Sequence, residues 1–476
     1  MSTIHCPVSD AAAISRHETA IVSGDHVMLY FDLDEMAARV ARNLRLAGCA
    51  PGTRVGLFLE TSWQSVAILF GCLRAGVVAC PLNTRLPREA VLDQLRQIST
   101  RRLVARTRAE SAPALAEIQI IAPDELLIYR EPDDDEAPHW LLRLDAPATI
   151  LFTSGSSGRP KAVELTVANH YYSARGSNQN LRLASRDCWL LTLPLYHVGG
   201  LGILFRCALA GAAIAIPEPD ESIARAQERY GATHLSVVPT QLYRLANAES
   251  MPDSFSRVKA ILLGGSPVPP ALMVEALRRK WPVYPSYGLT EMGSQVCTMA
   301  PSSPPAKRMT SGRVLAHREL RIAADGEILV RGQTLFNGYV SGSSLDPSRD
   351  GQGWFPTGDL GELDAEGYLT VKGRKDNLFI SGGENIQPEE IEQWLGSMPE
   401  VSDVIVAPLP DREFGARPVA FIRWNGDAVP DAELRTRLER VLPRYKIPIQ
   451  FRPWPSGEES LKTSRRYFRA LLEEGA

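Results

Sequence analysis

The chain has 476 residues with 44% hydrophobic and 22% charged content, a composition typical of a globular protein with two or three domains. Its formal net charge of −3 gives no electrostatic reason to expect a nucleic-acid or membrane-surface partner. The seven scattered cysteines include no CxxC pair, which predicts reduced thiols in a cytoplasmic protein rather than a disulfide scaffold.

Helical and strand-like patterns alternate through the first half of the chain. Apolar spacing predicts helices at residues 34–46 and 63–75 and strands at residues 54–59 and 77–81. The same alternation resumes through residues 206–216, 234–238 and 259–263. Such alternation predicts mostly parallel sheets covered by helices.

Neither a membrane span nor a secretory leader is expected. The most apolar stretch, residues 66–82, is interrupted by Arg74, Gly76 and Pro81, which favours a helix, a turn and a strand. The first residues lack the basic start and apolar core of a signal peptide.

A loop of small and hydroxylated residues between positions 153 and 161 indicates phosphate chemistry. Gly155 and Gly158 carry no Cβ, so backbone N–H groups there can approach an anion closely, and Lys161 adds a positive charge. The hydroxyl donors of the loop are Thr153, Ser154, Ser156 and Ser157. The glycine spacing is not that of a Walker A loop. The pattern predicts a polyphosphate-binding loop, with a solvated Gly/Ser turn as the alternative.

Four further motifs follow this loop in order. They are Tyr-Gly-Leu-Thr-Glu at 287–291, Thr-Gly-Asp at 357–359, Gly-Arg-Lys-Asp at 373–376 with Ser-Gly-Gly-Glu-Asn-Ile at 381–386, and Lys462. Together they resemble the adenylate-forming superfamily of acyl-CoA synthetases, luciferases and stand-alone adenylation domains. The resemblance implies an α/β fold with a large N-terminal domain of stacked, mostly parallel sheets and helices (residues 1–373) and a small mobile α+β C-terminal domain (residues 374–476).

The resemblance also implies a site for ATP and Mg²⁺. The loop from Thr153 to Lys161 would hold the β- and γ-phosphates, and Thr290 would bond phosphate. Glu291 would reach Mg²⁺, which prefers hard carboxylate oxygens. The remaining nucleotide contacts would come from Tyr287 against adenine, from Asp359 and Arg374 at the ribose, and from Gly264 and Gly265 beside adenine and the acyl group.

A mobile lysine and a hinge are expected in the C-terminal domain. Lys462 matches the family lysine that bridges carboxylate and α-phosphate, although Leu461 stands where a glycine is usual. Lys446 and the pair Arg465–Arg466 are its nearest competitors, and a surface role for Lys462 is the alternative. The hinge position matches Asp376, and Gly382 with Gly383 matches the strand that admits the pantetheine arm of coenzyme A.

The acid pocket is expected near residues 193–206. His197 holds the family's position beside the incoming carboxylate. Arg206 interrupts an apolar stretch and needs an anion, either a structural acidic residue or a second carboxylate on the substrate. In this segment and in residues 235–242, 262–265, 377–384, 386–390 and 411–415, the chain resembles the o-succinylbenzoate–CoA ligases of menaquinone biosynthesis. The resemblance implies that Arg206 and Ser236 line the benzoate pocket.

Three other functions stay open at this point. The activity of a medium-chain or aryl acyl-CoA synthetase would not depend on Arg206. A stand-alone adenylation protein would transfer the acyl group to a carrier protein and not to free coenzyme A. A non-catalytic binding protein is disfavoured by the nearly complete set of ATP-handling residues. The sequence leaves a homo-oligomeric state open.

Overall fold

Strands and helices alternate along most of the chain. The computed structural model describes residues 2–106, 118–129, 140–153, 160–248, 251–382, 384–455 and 465–474. In chain order the strands are β1 (Thr3–His5), β2 (Thr19–Ser23), β3 (His26–Leu29), β4 (Arg54–Phe58), β5 (Val78–Pro81), β6 (Arg102–Ala105), β7 (Gln119–Ile121), β8 (Leu141–Arg143), β9 (Pro147–Thr153), β10 (Lys161–Thr166), β11 (Cys188–Leu190), β12 (Ala213–Ile216), β13 (His234–Val237), β14 (Ala260–Leu263), β15 (Val283–Leu289), β16 (Ser294–Thr298), β17 (Arg313–Val314), β18 (Arg318–Ile322), β19 (Glu327–Gly332), β20 (Gly338–Ser341), β21 (Ser344–Asp346), β22 (Phe355–Leu363), β23 (Leu369–Arg374), β24 (Phe379–Ser381), β25 (Glu384–Ile386), β26 (Val401–Asp411), β27 (Gly415–Trp424) and β28 (Gln450–Pro453).

The α-helices follow the same numbering. They are α1 (Pro7–Ile14), α2 (Tyr30–Leu46), α3 (Trp63–Ala75), α4 (Arg88–Gln97), α5 (Pro123–Leu127), α6 (Val167–Leu181), α7 (Val198–Ala210), α8 (Ile223–Tyr230), α9 (Pro239–Ala246), α10 (Pro270–Arg278), α11 (Pro388–Leu395), α12 (Asp431–Glu439) and α13 (Arg465–Glu474). Short 3₁₀ turns lie at Asp253–Arg257, Thr290–Met292, Pro305–Lys307, Lys375–Asn377 and Arg444–Lys446.

Two large sheets build the N-terminal part. The eight-stranded sheet has the order β21-β20-β10-β9-β5-β4-β6-β7, and the nine-stranded sheet has the order β17-β16-β15-β14-β13-β11-β12-β2-β3. The central strands of both sheets pair in parallel, and the antiparallel pairs lie toward the edges. The predicted stack of mostly parallel sheets is confirmed.

Helices fill the space between these two sheets. Helix α3 contacts β5 of one sheet and β2 of the other, and α6 contacts β10 and β16. A helix held in this way must be apolar on all sides, and every residue of α3 from Ser65 to Ala75 is buried. The helix begins with a Ser62 side chain that accepts from Ser65 N and ends at Gly76, whose φ of +68° suits glycine.

The local sequence patterns predicted the positions of several of these helices and strands. Helix α3 has the predicted limits, whereas α2 begins at Tyr30, earlier than expected. The stretch 206–216 contains the end of α7, then Gly211 at φ +66°, then β12. In the part of the chain that the structure describes, no helix is long and apolar enough to cross a membrane.

The four-stranded antiparallel sheet was not anticipated from the sequence, whereas the smaller C-terminal unit of strands and helices was expected. Strands β18, β19, β22 and β23 form a four-stranded antiparallel sheet that ends at Arg374. Strands β24 to β28 form the C-terminal sheet, packed with α11, α12 and α13. The 3₁₀ turn Lys375–Asn377 joins the two sheets. A domain boundary near residue 374 stays a prediction that this connection favours.

Candidate active site

Several predicted site residues lie where strands of the nine-stranded sheet end. Strands β11, β13, β14 and β15 are parallel, so their carboxyl ends meet at one edge. Ligands of open α/β sheets characteristically bind at this edge. His197 follows β11, Gly264 and Gly265 follow β14, and Thr290 follows β15.

Tyr287, Asp359 and Arg374 form a connected cluster. Asp359 on β22 stands opposite Arg374 on β23. Asp359 Oδ2 accepts a hydrogen bond from Tyr287 Oη at 2.7 Å, and Oδ1 accepts one from Arg374 Nη1 at 3.0 Å. A Cβ on Gly358, whose φ is +72°, would lie 2.8 Å from Arg374 Nη2, so glycine gives the guanidinium its room.

Burial sets the electrostatics of this cluster. It raises the pKa of Asp359, an effect opposed by the hydrogen bond from Tyr287 and by the charge of Arg374. Burial and the neighbouring Asp359 raise the pKa of Tyr287 well above its usual range, so the phenol stays protonated and donates. A carboxylate held in this way is suited to accept hydrogen bonds from sugar hydroxyls.

Glu291 and Lys161 both contact Tyr339. Glu291 belongs to the 3₁₀ turn after β15 with Thr290, and its Oε1 accepts a hydrogen bond from Tyr339 Oη at 2.7 Å. Lys161 Nζ lies 4.7 Å from the centre of the Tyr339 ring. Burial, and then the charge of Glu291, raise the pKa of Tyr339. Sequence reasoning missed Tyr339, because it lies on β20 and only sheet pairing brings that strand beside β10.

Part of the phosphate loop can be located. Thr153 ends β9 and Lys161 begins β10, and the two residues stand opposite each other in an antiparallel pair. Ser154, Gly155, Ser156, Ser157 and Gly158 lie outside the described residues.

The predicted acyl residues lie close to the same edge. His197 is exposed, immediately precedes α7, and packs edge-on against Tyr196 with ring centres 4.7 Å apart. Gly265 has φ +92°, and a Cβ on Gly264 would lie 3.2 Å from Ser286 O. Ser236 on β13 is buried, and its Oγ accepts a hydrogen bond from Trp189 Nε1 at 3.1 Å.

Arg206 is buried in the middle of α7 with 0% exposure. Its Nη2 donates to Ser294 Oγ at 3.0 Å, and its guanidinium carbon lies 5.2 Å from the centre of the Trp189 ring. Its Nε and Nη1 have no hydrogen-bond partner, and among the described residues no carboxylate forms a salt bridge with it. The structural acidic partner considered from the sequence is therefore not found. Burial lowers the pKa of Arg206 to about 10.

The C-terminal candidates divide into those with ion-pair partners and those that the structure does not describe. Lys446 Nζ lies 2.5 Å from Glu390 Oε2, and Arg465 Nη1 lies 3.1 Å from Glu389 Oε1. Lys446 and Arg465, two of the three competitors of the proposed catalytic lysine, are thus held within the C-terminal unit. Lys462 itself and Gly383 lie outside the described residues.

The predicted hinge residue Asp376 and the tunnel residue Gly382 are exposed. Asp376 lies in the 3₁₀ turn after β23, where its carboxylate is 3.4 Å from Arg374 Nη2. Gly382 follows β24 at φ +59°.

Sequence comparison matches the chain to a family of AMP-binding enzymes. The sequence profile of the family described as AMP-binding enzyme matches residues 8–340, and that of the AMP-binding enzyme C-terminal domain matches residues 390–456. The chain is 34% identical to 2-succinylbenzoate–CoA ligases of Bacillus cereus and Bacillus mycoides, with full coverage of both chains in each case.

Solved structures of similar proteins carry ligands of an adenylation reaction. The o-succinylbenzoate CoA synthetase (MenE) of Bacillus subtilis in complex with the acyl-adenylate intermediate OSB-AMP is 31% identical, with a TM-score of 0.87 and coverage of 98% of this chain and 97% of that chain. The same protein in complex with ATP and magnesium ion has a TM-score of 0.88, 31% identity and coverage of 99% and 100%.

Proposed function

The chain belongs to the AMP-binding enzyme family, and on this basis we propose that it is an ATP-dependent o-succinylbenzoate–CoA ligase of menaquinone biosynthesis. The observation that carries the choice of acid is Arg206, a fully buried cation with two unpartnered nitrogens and no acidic partner among the described residues. A substrate with a second carboxylate would compensate this charge. The full-length similarity to 2-succinylbenzoate–CoA ligases supports the same choice.

The first half-reaction joins a carboxylate oxygen of the succinyl group to the α-phosphorus of ATP, and pyrophosphate leaves. Because both reactants are anionic, the protein must neutralise and align them. Thr153, Lys161 and Thr290 are proposed to hold the phosphates, together with Ser154, Gly155, Ser156, Ser157 and Gly158. We assign Asp359 and Arg374 to the ribose, Tyr287 to adenine and Lys462 to the reacting oxygens.

The residues present fit Mg²⁺. Mg²⁺ is usually bound by one or two carboxylates together with substrate phosphates and water. Glu291 supplies one such carboxylate, which accepts a hydrogen bond from Tyr339, and Lys161 lies close to the ring of the same tyrosine. When bound, the ion would neutralise phosphate charge as pyrophosphate forms.

The second half-reaction transfers the acyl group to coenzyme A. The thiol sulfur bonds to the acyl carbon, the bond from that carbon to the phosphate oxygen breaks, AMP leaves and the thiol proton is released. We assign the turn at Asp376 as the hinge. Rotation about it would remove Lys462 from the active site and bring the thiol passage at Gly382 and Gly383 to that site. His197, Gly264, Gly265 and Ser236 are proposed to line the acyl group.

The proposed location is the cytoplasm. All seven cysteines are free, and burial raises the pKa of several of their thiols, for example that of Cys80 to about 12. Unreactive, unpaired thiols are the rule in a reducing compartment.

The decisive experiment measures CoA-dependent pyrophosphate release with o-succinylbenzoate and with a panel of monocarboxylic acids. We expect strong preference for the diacid. Turnover of benzoate or octanoate alone would make the protein a monoacid acyl-CoA synthetase. Pyrophosphate exchange without use of free coenzyme A would make it a carrier-loading adenylation protein.

A further inference from the structure

A second buried arginine lies beside Arg206. Arg318, at the start of β18, is 5% exposed, and its Nη2 donates to Ser173 O at 3.2 Å. Its Nε and Nη1 have no hydrogen-bond partner, and no carboxylate of the described residues forms a salt bridge with it. Burying two guanidinium groups without acidic partners in the same part of the protein costs free energy unless an anion binds beside them.

Hydrogen bonds connect the two arginines through Ser173 and the segment Gly293–Ser294. Ser173, whose carbonyl accepts from Arg318, donates its own hydroxyl to Gly293 O at 2.7 Å. The next residue, Ser294, accepts the hydrogen bond from Arg206. Arg206 also contributes to lowering the pKa of Arg318 to about 9, after the larger effect of burial, so the two charges act on each other.

The neighbouring helices leave room for both guanidinium groups. A Cβ on Gly202 of α7 would lie 3.2 Å from Arg206 Nη2, and one on Gly176 of α6 would lie 3.0 Å from Arg318 Nη1. The Ser177 hydroxyl, also on α6, is fully buried without a partner. The region between α6, α7 and β16 therefore contains more buried donors than the described acceptors satisfy.

We propose that Arg318 is a second specificity-determining residue, whose charge adds to that of Arg206 in selecting an acid with a second carboxylate. The inference rests on the proposed function. In this arrangement Arg206 and Arg318 compensate one shared anion, which explains why the fold tolerates both buried cations. A monoacid offers no such anion, so it gains nothing from Arg318.

The test uses two substrates that differ by one carboxylate, o-succinylbenzoate and 4-oxo-4-phenylbutanoate. For Arg318→Met we expect kcat/KM to fall by about tenfold or more with the diacid and to change little with the monoacid. Arg318→Lys keeps the charge and should retain most of the diacid preference. Arg321→Met is the matched control, because Arg321 lies on the same strand with a half-exposed side chain, and it should leave both substrates unaffected.

Each outcome decides the proposal. Equal losses with both substrates in Arg318→Met would show a merely structural residue and overturn it. If Arg318→Met does not fold, Arg318→Lys carries the test, and a folded lysine variant without diacid preference contradicts the charge argument. Wild-type turnover of monoacids alone would refute the proposed function, whereas wild-type diacid preference that survives in Arg318→Met refutes only the role of Arg318.

Discussion

Buried charge is the residue-scale feature that distinguishes this chain. Arg74, buried in the last turn of α3, pairs with Asp34 and donates to Asp34 O and Ser9 Oγ. The Arg206 side chain has a single hydrogen bond and no ion pair among the described residues. Arg74 is therefore a cation whose charge is compensated within the fold, whereas the proposed function assigns the charge of Arg206 to the substrate.

Arg206→Ala should weaken catalysis on o-succinylbenzoate. Losing one member of a buried charge pair costs about 2–5 kcal/mol, so kcat/KM for the diacid should fall about tenfold or more. The KM for ATP should stay nearly unchanged, because ATP contacts are assigned to other residues. Steady-state kinetics with each substrate varied in turn measure both quantities, and intact activity on the diacid would contradict the assignment.

A buried histidine predicts a loss of stability in mild acid. His170 is 1% exposed, stacks on Phe205 with ring centres 4.4 Å apart and shares a hydrogen bond with Thr149. Burial lowers its pKa to about 3. Since the unfolded imidazole titrates near pH 6.5, the stabilising contribution is complete above that pH and is lost as the pH falls toward 3.

Between pH 7.5 and 5.5 this effect should lower the free energy of unfolding by about 1.4 kcal/mol. Thermal unfolding at the two pH values measures it. His170→Gln should reduce the pH dependence by that amount, whereas the same change at the exposed His17 should not. An unchanged pH dependence in His170→Gln would show that His170 is not the group responsible.

At the scale of elements, an ion-pair cluster holds the last helix in place. Arg465 begins α13, and its Nη2 lies 2.5 Å from Glu392 Oε1 while its Nη1 lies 3.1 Å from Glu389 Oε1, both glutamates belonging to α11. Arg465 Nε also donates to Val406 O on β26 at 2.9 Å. Burial raises the pKa of Glu392 despite the charge of Arg465. The cluster therefore joins three elements of the C-terminal unit.

Arg465→Met should destabilise this unit by about 3–5 kcal/mol, because it leaves buried carboxylates without a cation. Hydrogen exchange in α11 and β26 should accelerate, while the N-terminal sheets stay protected. Arg437→Met is the control, since the Arg437 pairs with Glu400 and Glu433 are partly exposed and, being screened by solvent, should contribute much less to stability. Equal effects of the two substitutions would contradict a special role of the buried cluster.

At the scale of the whole molecule, a single short turn connects the N-terminal part of the chain to the C-terminal unit. The 3₁₀ turn Lys375–Asn377 leads from the sheet that carries Asp359 and Arg374 to the C-terminal sheet. Lys375 in this turn pairs with Asp325 and Glu327 of the preceding sheet. The backbone rotation that switches the enzyme from the first half-reaction to the second would be concentrated in this turn.

Asp376→Pro should impair the second half-reaction more than the first, because proline fixes φ near −65° and removes rotation. ATP–pyrophosphate exchange reports adenylate formation, and transfer from preformed adenylate to coenzyme A reports the second step. Asp376→Ala preserves rotation and is the matched control. Equal loss in both steps, or loss in the alanine variant as well, would argue against a hinge at this residue.

The sequence by itself determined the alternation of helices and strands in the N-terminal part and the limits of several of these elements. The limits of α3 follow from an apolar run between Ser62 and Gly76, and the end of α7 follows from Gly211, because capping and left-handed φ are local properties. The ordered motifs likewise identified Asp359, Arg374 and Glu291 as site candidates before any of their contacts were known.

Only the tertiary structure decided which charges meet. Arg318 reaches Ser173 across 145 residues of sequence, and Tyr339 reaches Glu291 across 48, so no local pattern could reveal either contact. The sequence likewise left open whether Arg206 has an acidic partner, since pairing of a buried charge depends on which strands and helices surround it. Periodicity and turn chemistry act over a few residues, whereas electrostatic compensation acts through space, and that is why the fold was predicted more completely than the site.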